Sequence, residues 1–217
     1  MKKKIILFLL LGIAVFAGAQ QFYPMPGQRF IPEHNFRFGV GAKPFEAADI
    51  KFFDYSDFIE ESYFESENYY SGARYTTNSW FVEYIYQANS WFGVGATANY
   101  LAYYNNYYDG VTDRCIGQNM RQHLSLYPTI RITWLRSGKL TTYSSFGIGQ
   151  RLIFERDNLR DVFDKSTTES GIAGQITFLG FTFGDRIYGF TDLLTLGSQG
   201  MLNFGIGYRL TVPQKKK

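Results

Sequence analysis

The sequence predicts an all-β protein: an eight-stranded antiparallel up-and-down transmembrane β-barrel. Three observations lead there. From residue 35 onward polar and apolar side chains alternate with period two in eight runs, which is how a strand with two unlike faces reads. The connections between the runs alternate long and short. No segment after the first twenty residues offers eighteen uninterrupted apolar positions, so a spanning helix has no place in the mature chain.

The chain opens "MKKKIILFLLLGIAVFAGAQ". Lys2, Lys3 and Lys4 form a basic head, Ile5 to Phe16 an apolar stretch, and Ala17-Gly18-Ala19 a small-residue cleavage site. This is the layout of a secretory signal peptide over 1–19, with cleavage expected between Ala19 and Gln20. The absence of a cysteine at that junction argues against a lipid anchor. Of 22 basic residues the leader holds three, so 19 remain against 19 acidic ones and the mature chain is formally neutral. No basic stripe suits nucleic acid. Cys115 is the single cysteine, so an internal disulfide is excluded and a free thiol expected.

Residues 20–34 hold three prolines without periodicity and read as a periplasmic lead-in. The barrel proper is expected over 35–212, with runs at 35–44, 76–86, 91–103, 121–136, 140–154, 170–182, 186–195 and 201–212; 213–217 form a basic tail. Each run meets the roughly 9 to 11 residues that a tilted strand needs to cross a bilayer. The short turns are "QANS", "SGK" and about "FGD", and the longer connections are 45–75, 104–120 and 155–169. The last connection, "LGSQG", is only moderately short. Short turns at one end and long loops at the other are the pattern of outer-membrane barrels, with both termini periplasmic. A ten-stranded barrel would need a hairpin inside 45–75, where aromatics fall on both parities (Phe52, Phe53, Tyr69, Tyr70).

The faces decide the solvent. Phe36, Phe38 and Val40 oppose Arg37, Gly39, Gly41 and Lys43; Phe204, Ile206, Tyr208, Leu210 and Val212 oppose Asn203, Gly205, Gly207 and Arg209. In "SWFVEYIYQ" Glu83 shares a face with Phe81 and Ile85, amid aromatics. A charge facing lipid at midplane costs roughly 2 to 4 kcal/mol for Arg or Lys and less for an acid. Glu83 is therefore expected in the lumen, with Arg37, Arg131, Arg151 and Arg209 as partners and Asp192 as a second acid. A soluble lipocalin-like barrel would reverse the faces and put Lys and Glu in water. The third run, Phe92 to Tyr100, instead has only Gly93, Gly95, Thr97 and Asn99 on its polar side. Pro128 removes a ladder donor in a barrel without edges, so a bulge is expected near it.

"NFGIGYRL" resembles the sorting signal of bacterial outer-membrane barrels, with Asn203, Gly205, Tyr208 and Leu210 at the polar, glycine, aromatic and hydrophobic places. The tail departs from the family pattern, running on as "TVPQKKK" instead of stopping at an aromatic residue. The chain from about residue 35 resembles the small OmpA/OmpX-type barrels. The resemblance implies the bacterial outer membrane, contact with its lipid and lipopolysaccharide, and handling by the barrel-assembly machinery during insertion.

Function is less constrained than fold. The expected role is structural or surface interaction through external loops, without catalysis, cofactor or metal. Residues 44–75 carry eight acids, two bases and ten aromatics, which makes the 54–70 loop the candidate surface for an extracellular ligand. A narrow pore for small solutes is the alternative. A third reading comes from a resemblance of His123 and Ser125 to the His-x-Ser pair of lipid A deacylases. It requires a His–Ser hydrogen bond. Leader processing is testable directly: intact-mass measurement of the protein from outer membranes should give a chain beginning at Gln20, and a chain retaining Lys2 to Lys4 overturns the expectation.

Overall fold

The computed structural model describes residues 30–42, 69–73, 75–159 and 163–211. The leader and its Ala19–Gln20 junction, most of the 54–70 loop and the basic tail lie outside the described residues. Ten strand segments appear: β1 (Glu33–Ala42), β2 (Tyr69–Ser71), β3 (Tyr75–Thr76), β4 (Ser79–Gln87), β5 (Phe92–Asp109), β6 (Cys115–Ser137), β7 (Leu140–Leu159), β8 (Phe163–Gly184), β9 (Ile187–Gly197) and β10 (Leu202–Thr211). β2, β3 and β4 pair in succession along β5, at Tyr69↔Asp109, Tyr75↔Tyr104 and Trp80↔Tyr100, and so make one interrupted stave. The staves follow the order β5, β4, β1, β10, β9, β8, β7, β6, and β6 returns to β5. Every pairing is antiparallel. The sheet is a closed, eight-stave, up-and-down barrel.

The staves are unequal. β1, β4, β9 and β10 run 10, 9, 11 and 10 residues, whereas β5, β6, β7 and β8 run 18, 23, 20 and 22. The stretches 104–120 and 155–169, which the sequence assigns to loops, are therefore mostly paired strand. Tyr104↔Met120, Asn105↔Asn119, Arg156↔Ser166 and Asp157↔Lys165 continue the ladder there. Both faces of this extension carry polar and tyrosine side chains, so the alternation that marks a strand in sequence disappears while the hydrogen bonds persist.

The bulge expected at Pro128 is absent. Ala96 pairs with Pro128 in an unbroken register toward β5. Toward β7 the pairing lapses at Tyr127 and Pro128 and resumes in the same register at Thr129↔Gly147. One missing N–H opens a local gap without demanding an extra residue. The register shift in β6 falls instead between Thr133 and Leu135, and its neighbour in β7 between Tyr143 and Ser145.

Odd-numbered residues of β1 and β4 point inward. Inward glycines leave the room that inward aromatic rings fill. A Cβ on Gly39 would lie 2.6 Å from Phe81 Cζ and 2.7 Å from Phe190 Cζ, and one on Gly207 would lie 2.3 Å from the Tyr188 ring. Phe81, Tyr188 and Phe190 form an apolar cluster in the interior.

The β9–β10 connection, 198–201, folds into the lumen. Its backbone reaches staves on the far side of the ring: Ser198 O accepts from Asn99 Nδ2 of β5 at 2.8 Å and from Ser79 Oγ of β4 at 3.3 Å. Ser198 N donates to Gly174 O at 3.0 Å, Gln199 N to Gln175 Oε1 at 2.9 Å, and Met201 N to Ala42 O at 3.1 Å. Gly41 admits the turn, since a Cβ there would stand 1.6 Å from Gln199 O.

These contacts set two expectations. Gly39→Val should cost about 1–3 kcal/mol by overpacking. Gly189→Ala, whose added methyl meets nothing within 4 Å, should change stability by less than about 0.5 kcal/mol. Equilibrium urea unfolding in lipid vesicles reads both; equal effects would refute the glycine–ring packing.

Candidate functional site

The densest chemistry lies mid-lumen. The β1–β4 register sets Arg37 opposite Glu83, and the β4–β5 register sets Glu83 opposite Thr97. Arg37 Nε lies 3.0 Å from Glu83 Oε1, and Arg37 Nη2 lies 3.1 Å from Asp192 Oδ2 of β9. Arg131 of β6 also holds Glu83 Oε1. Tyr143 of β7 takes a hydrogen bond from Arg37 and donates its own to Asp192. The Arg37 guanidinium lies 4.0 Å from the Phe190 ring centroid, and that of Arg131 lies 4.4 Å from the Tyr143 centroid. Arg37 and Glu83 are each 2% exposed and Asp192 is fully enclosed, so these charges have left water altogether. Removing an ion from water costs several kcal/mol, recovered only when partners are well placed. Two guanidiniums and two carboxylates sharing contacts across four staves, joined by Tyr143 from a fifth, meet that condition.

The structure divides the other sequence-predicted members. Arg209 belongs to a second cluster at the short-turn end, 3.3 Å from Glu33 Oε1, which Arg136 Nη2 approaches to 2.6 Å. Arg151 is buried further along the barrel, paired in register with Ser125 and facing Gly171. The sequence reading missed Glu33, Arg136 and Tyr143. Glu33 lies on the same parity as Asn35 and Arg37, so running the alternation two residues further back would have found it. Of the insertion-signal positions, Asn203 and Gly205 face inward and Tyr208 and Leu210 outward, with Tyr208 and Leu210 more than a third exposed.

His123 and Ser125 both face the interior. Ser125 Oγ has no hydrogen-bond partner among the described residues, and the His123 ring packs edge-on against Tyr103 at 5.6 Å. The hydrogen bond that would activate a serine nucleophile is not made.

At the long-strand end tyrosines pair across strands: Tyr70 stacks on Tyr108 at 5.5 Å and Tyr75 on Tyr104 at 5.6 Å. Beyond them, the Asp109 carboxylate accepts from the Thr112 backbone at 2.7 Å, the Thr112 hydroxyl at 2.9 Å and the Val111 backbone at 3.0 Å. Those bonds hold its pKa below the ordinary carboxylate value. Tyr70 donates to Asp113 at 2.8 Å, which raises the pKa of its phenol. The hairpin tip is a built structure.

The outer wall carries the opposite chemistry. Val82 (54%), Leu126 (62%), Ile172 (57%) and Ile206 (65%) stand exposed on four sides of the ring. A bare apolar belt encircling a protein far exceeds the few hundred Å² that a water-soluble monomer shows. Aromatics flank it. Trp80, its indole bonded to Thr77 O at 3.1 Å, sits toward the long-strand end; Trp91, Trp134 and Tyr84 sit toward the short turns. Aromatic girdles at two levels mark bilayer interfaces. A closed barrel with ions along its axis and hydrocarbon side chains outside is a transmembrane β-barrel.

No protein-family model matches the sequence, and no curated protein matches it. Among solved structures it is similar to the crystal structure of the outer membrane protein OprG from Pseudomonas aeruginosa. The TM-score is 0.41 and the identity 11%, over 87% of this chain and 100% of that one. The barrel assignment therefore stands on this chain's own strand pairings.

Glu83→Gln should destabilise the barrel by about 3–5 kcal/mol, because it leaves buried guanidiniums without their counter-charge. Pairing Glu83→Leu with Arg131→Leu should cost less than the sum of the single changes. Urea unfolding in vesicles measures the cycle, and additivity would show that the two groups do not interact.

Proposed function

We propose that this chain is a bacterial outer-membrane barrel whose work is structural or surface interaction, carried by the long-strand end and without catalysis. The observation that supports this reading most is the unequal length of the staves. β5 to β8 run about twice the 9 to 11 residues needed to cross a bilayer. Their surplus stands clear of the hydrocarbon as a paired, tyrosine-rich sheet. A rigid scaffold that lifts a loop-bearing surface away from the membrane suits recognition. The acidic, aromatic 54–70 loop joins this end and is the proposed seat of an extracellular ligand.

The rest of the proposal follows from the sequence. The 1–19 leader exports the chain, the assembly machinery reads Asn203, Gly205, Tyr208 and Leu210, and outer-membrane lipid and lipopolysaccharide surround the wall. In this topology the short turns and both termini are periplasmic. The pore reading finds less support. The Arg37–Glu83–Arg131–Asp192 cluster and the 198–201 turn both lie across the lumen, and solute passage requires both to move. An eight-stave interior is only wide enough for its own side chains.

Cys115 supplies the test of topology. It is exposed where the β5–β6 hairpin turns. A membrane-impermeant maleimide applied to intact cells should label the wild type and leave Cys115→Ser unlabelled. Labelling that appears only after lysis would place the long-strand end in the periplasm and overturn the proposal.

A further inference from the structure

The short-turn mouth of the lumen holds a small cavity whose lining includes Arg131, Arg136, Arg209, Tyr188 and Thr182. Among the described residues, no carboxylate lines it. The two acids nearest in the ion-pair network are each divided between two guanidiniums: Glu33 between Arg136 and Arg209, and Glu83 between Arg37 and Arg131. Including Asp192, the two clusters set four guanidiniums against three carboxylates among the described residues, an excess of one positive charge.

The same residues carry unsatisfied donors. Arg131 Nε, Arg136 Nε, Tyr188 OH and Thr182 Oγ1 are buried and have no hydrogen-bond partner among the described residues. Arg131, Tyr188 and Thr182 are 4%, 2% and 3% exposed. A guanidinium N–H only donates, so it takes nothing but an acceptor. A buried donor left without one costs about 1–3 kcal/mol, and more when the group is charged. Four such donors on the lining of one electropositive cavity describe a site for negative charge. Its free space is that of roughly one water molecule, which sets the size of the occupant.

We propose that this cavity binds a single small anion of halide size, held by Arg131 and Arg136 and oriented by the Tyr188 and Thr182 hydroxyls. The anion neutralises the excess charge and supplies the acceptor that the four donors lack. The site is independent of the surface role proposed above.

Bromide is the probe, with the full mature chain folded in detergent micelles. The arginine Nε–H resonances of Arg131 and Arg136 should shift saturably as bromide is added, and not with sulfate at equal ionic strength. Tyr188→Phe combined with Thr182→Val keeps every charge and should weaken binding at least tenfold, since each hydrogen bond to a charged group is worth more than about 1.4 kcal/mol. Arg136→Gln, at the partly exposed rim, is the second variant should the first fail to fold, and it should also weaken binding. Crystals grown in bromide should show an anomalous peak in the cavity. Shifts that follow ionic strength alone, unchanged affinity in a folded variant, or a water molecule in the cavity with bromide only elsewhere would each overturn the proposal.

Discussion

A single carboxylate between two guanidiniums sets the character of this barrel. Glu83, gripped by Arg37 and Arg131, is an acid in the middle of one of the most aromatic strands in the chain. Hydrocarbon cannot solvate it, so its strand must turn that edge inward, and the period-two geometry then sends Trp80, Val82 and Tyr84 outward. The neighbouring staves follow by register: Arg37 faces Glu83, so Phe36 and Phe38 face lipid. Tyr143 completes the arrangement by passing one hydrogen bond from Arg37 to Asp192. Placing the charges on the axis is what permits an apolar wall.

Ions alone do not fill a lumen. The interior is made of complementary sizes, with glycine on one stave and an aromatic ring on another. Phe81 and Phe190 meet over Gly39, Tyr188 covers Gly207, and Tyr143 lies against Gly180. Next to these rings the 198–201 turn replaces side-chain packing with backbone hydrogen bonds reaching four other staves. Charges and rings interleave along the tube, with Arg37 over Phe190 and Arg131 over Tyr143. Shape complementarity along the axis takes the place of the apolar core of a soluble domain.

Much of this was legible in sequence wherever the two faces differ in polarity. β1, β4 and β10 declare themselves because Arg37, Glu83 and Asn203 alternate with Phe36, Val82 and Phe204. The far ends of β5 to β8 do not, because polar and tyrosine side chains stand on both of their faces and leave nothing to alternate. Pro128 misled by being judged on one strand, when its neighbours simply leave a gap. Partners within the lumen were only half readable. Parity tells which residues face inward, but the height at which Arg151 and Arg209 sit depends on register, which a single strand does not contain. Nothing local in "LGSQG" announces a turn that bends inward, since its partners Asn99 and Gln175 lie far away in sequence.

One feature of the ring bears on how it forms. Seven of the eight seams join staves adjacent in sequence, each able to zip as a hairpin once its turn exists. The eighth joins β1 to β10, pairing Glu33 with Thr211, and brings together the two ends of the described chain. Closing it carries the largest loop entropy in the molecule, and topology of that kind slows folding. Until that seam shuts, Arg37 has Glu83 beside it while Asp192 waits on the far lip of an open sheet. The Arg37–Asp192 contact therefore belongs to the last step of maturation, acting as a latch across the final gap.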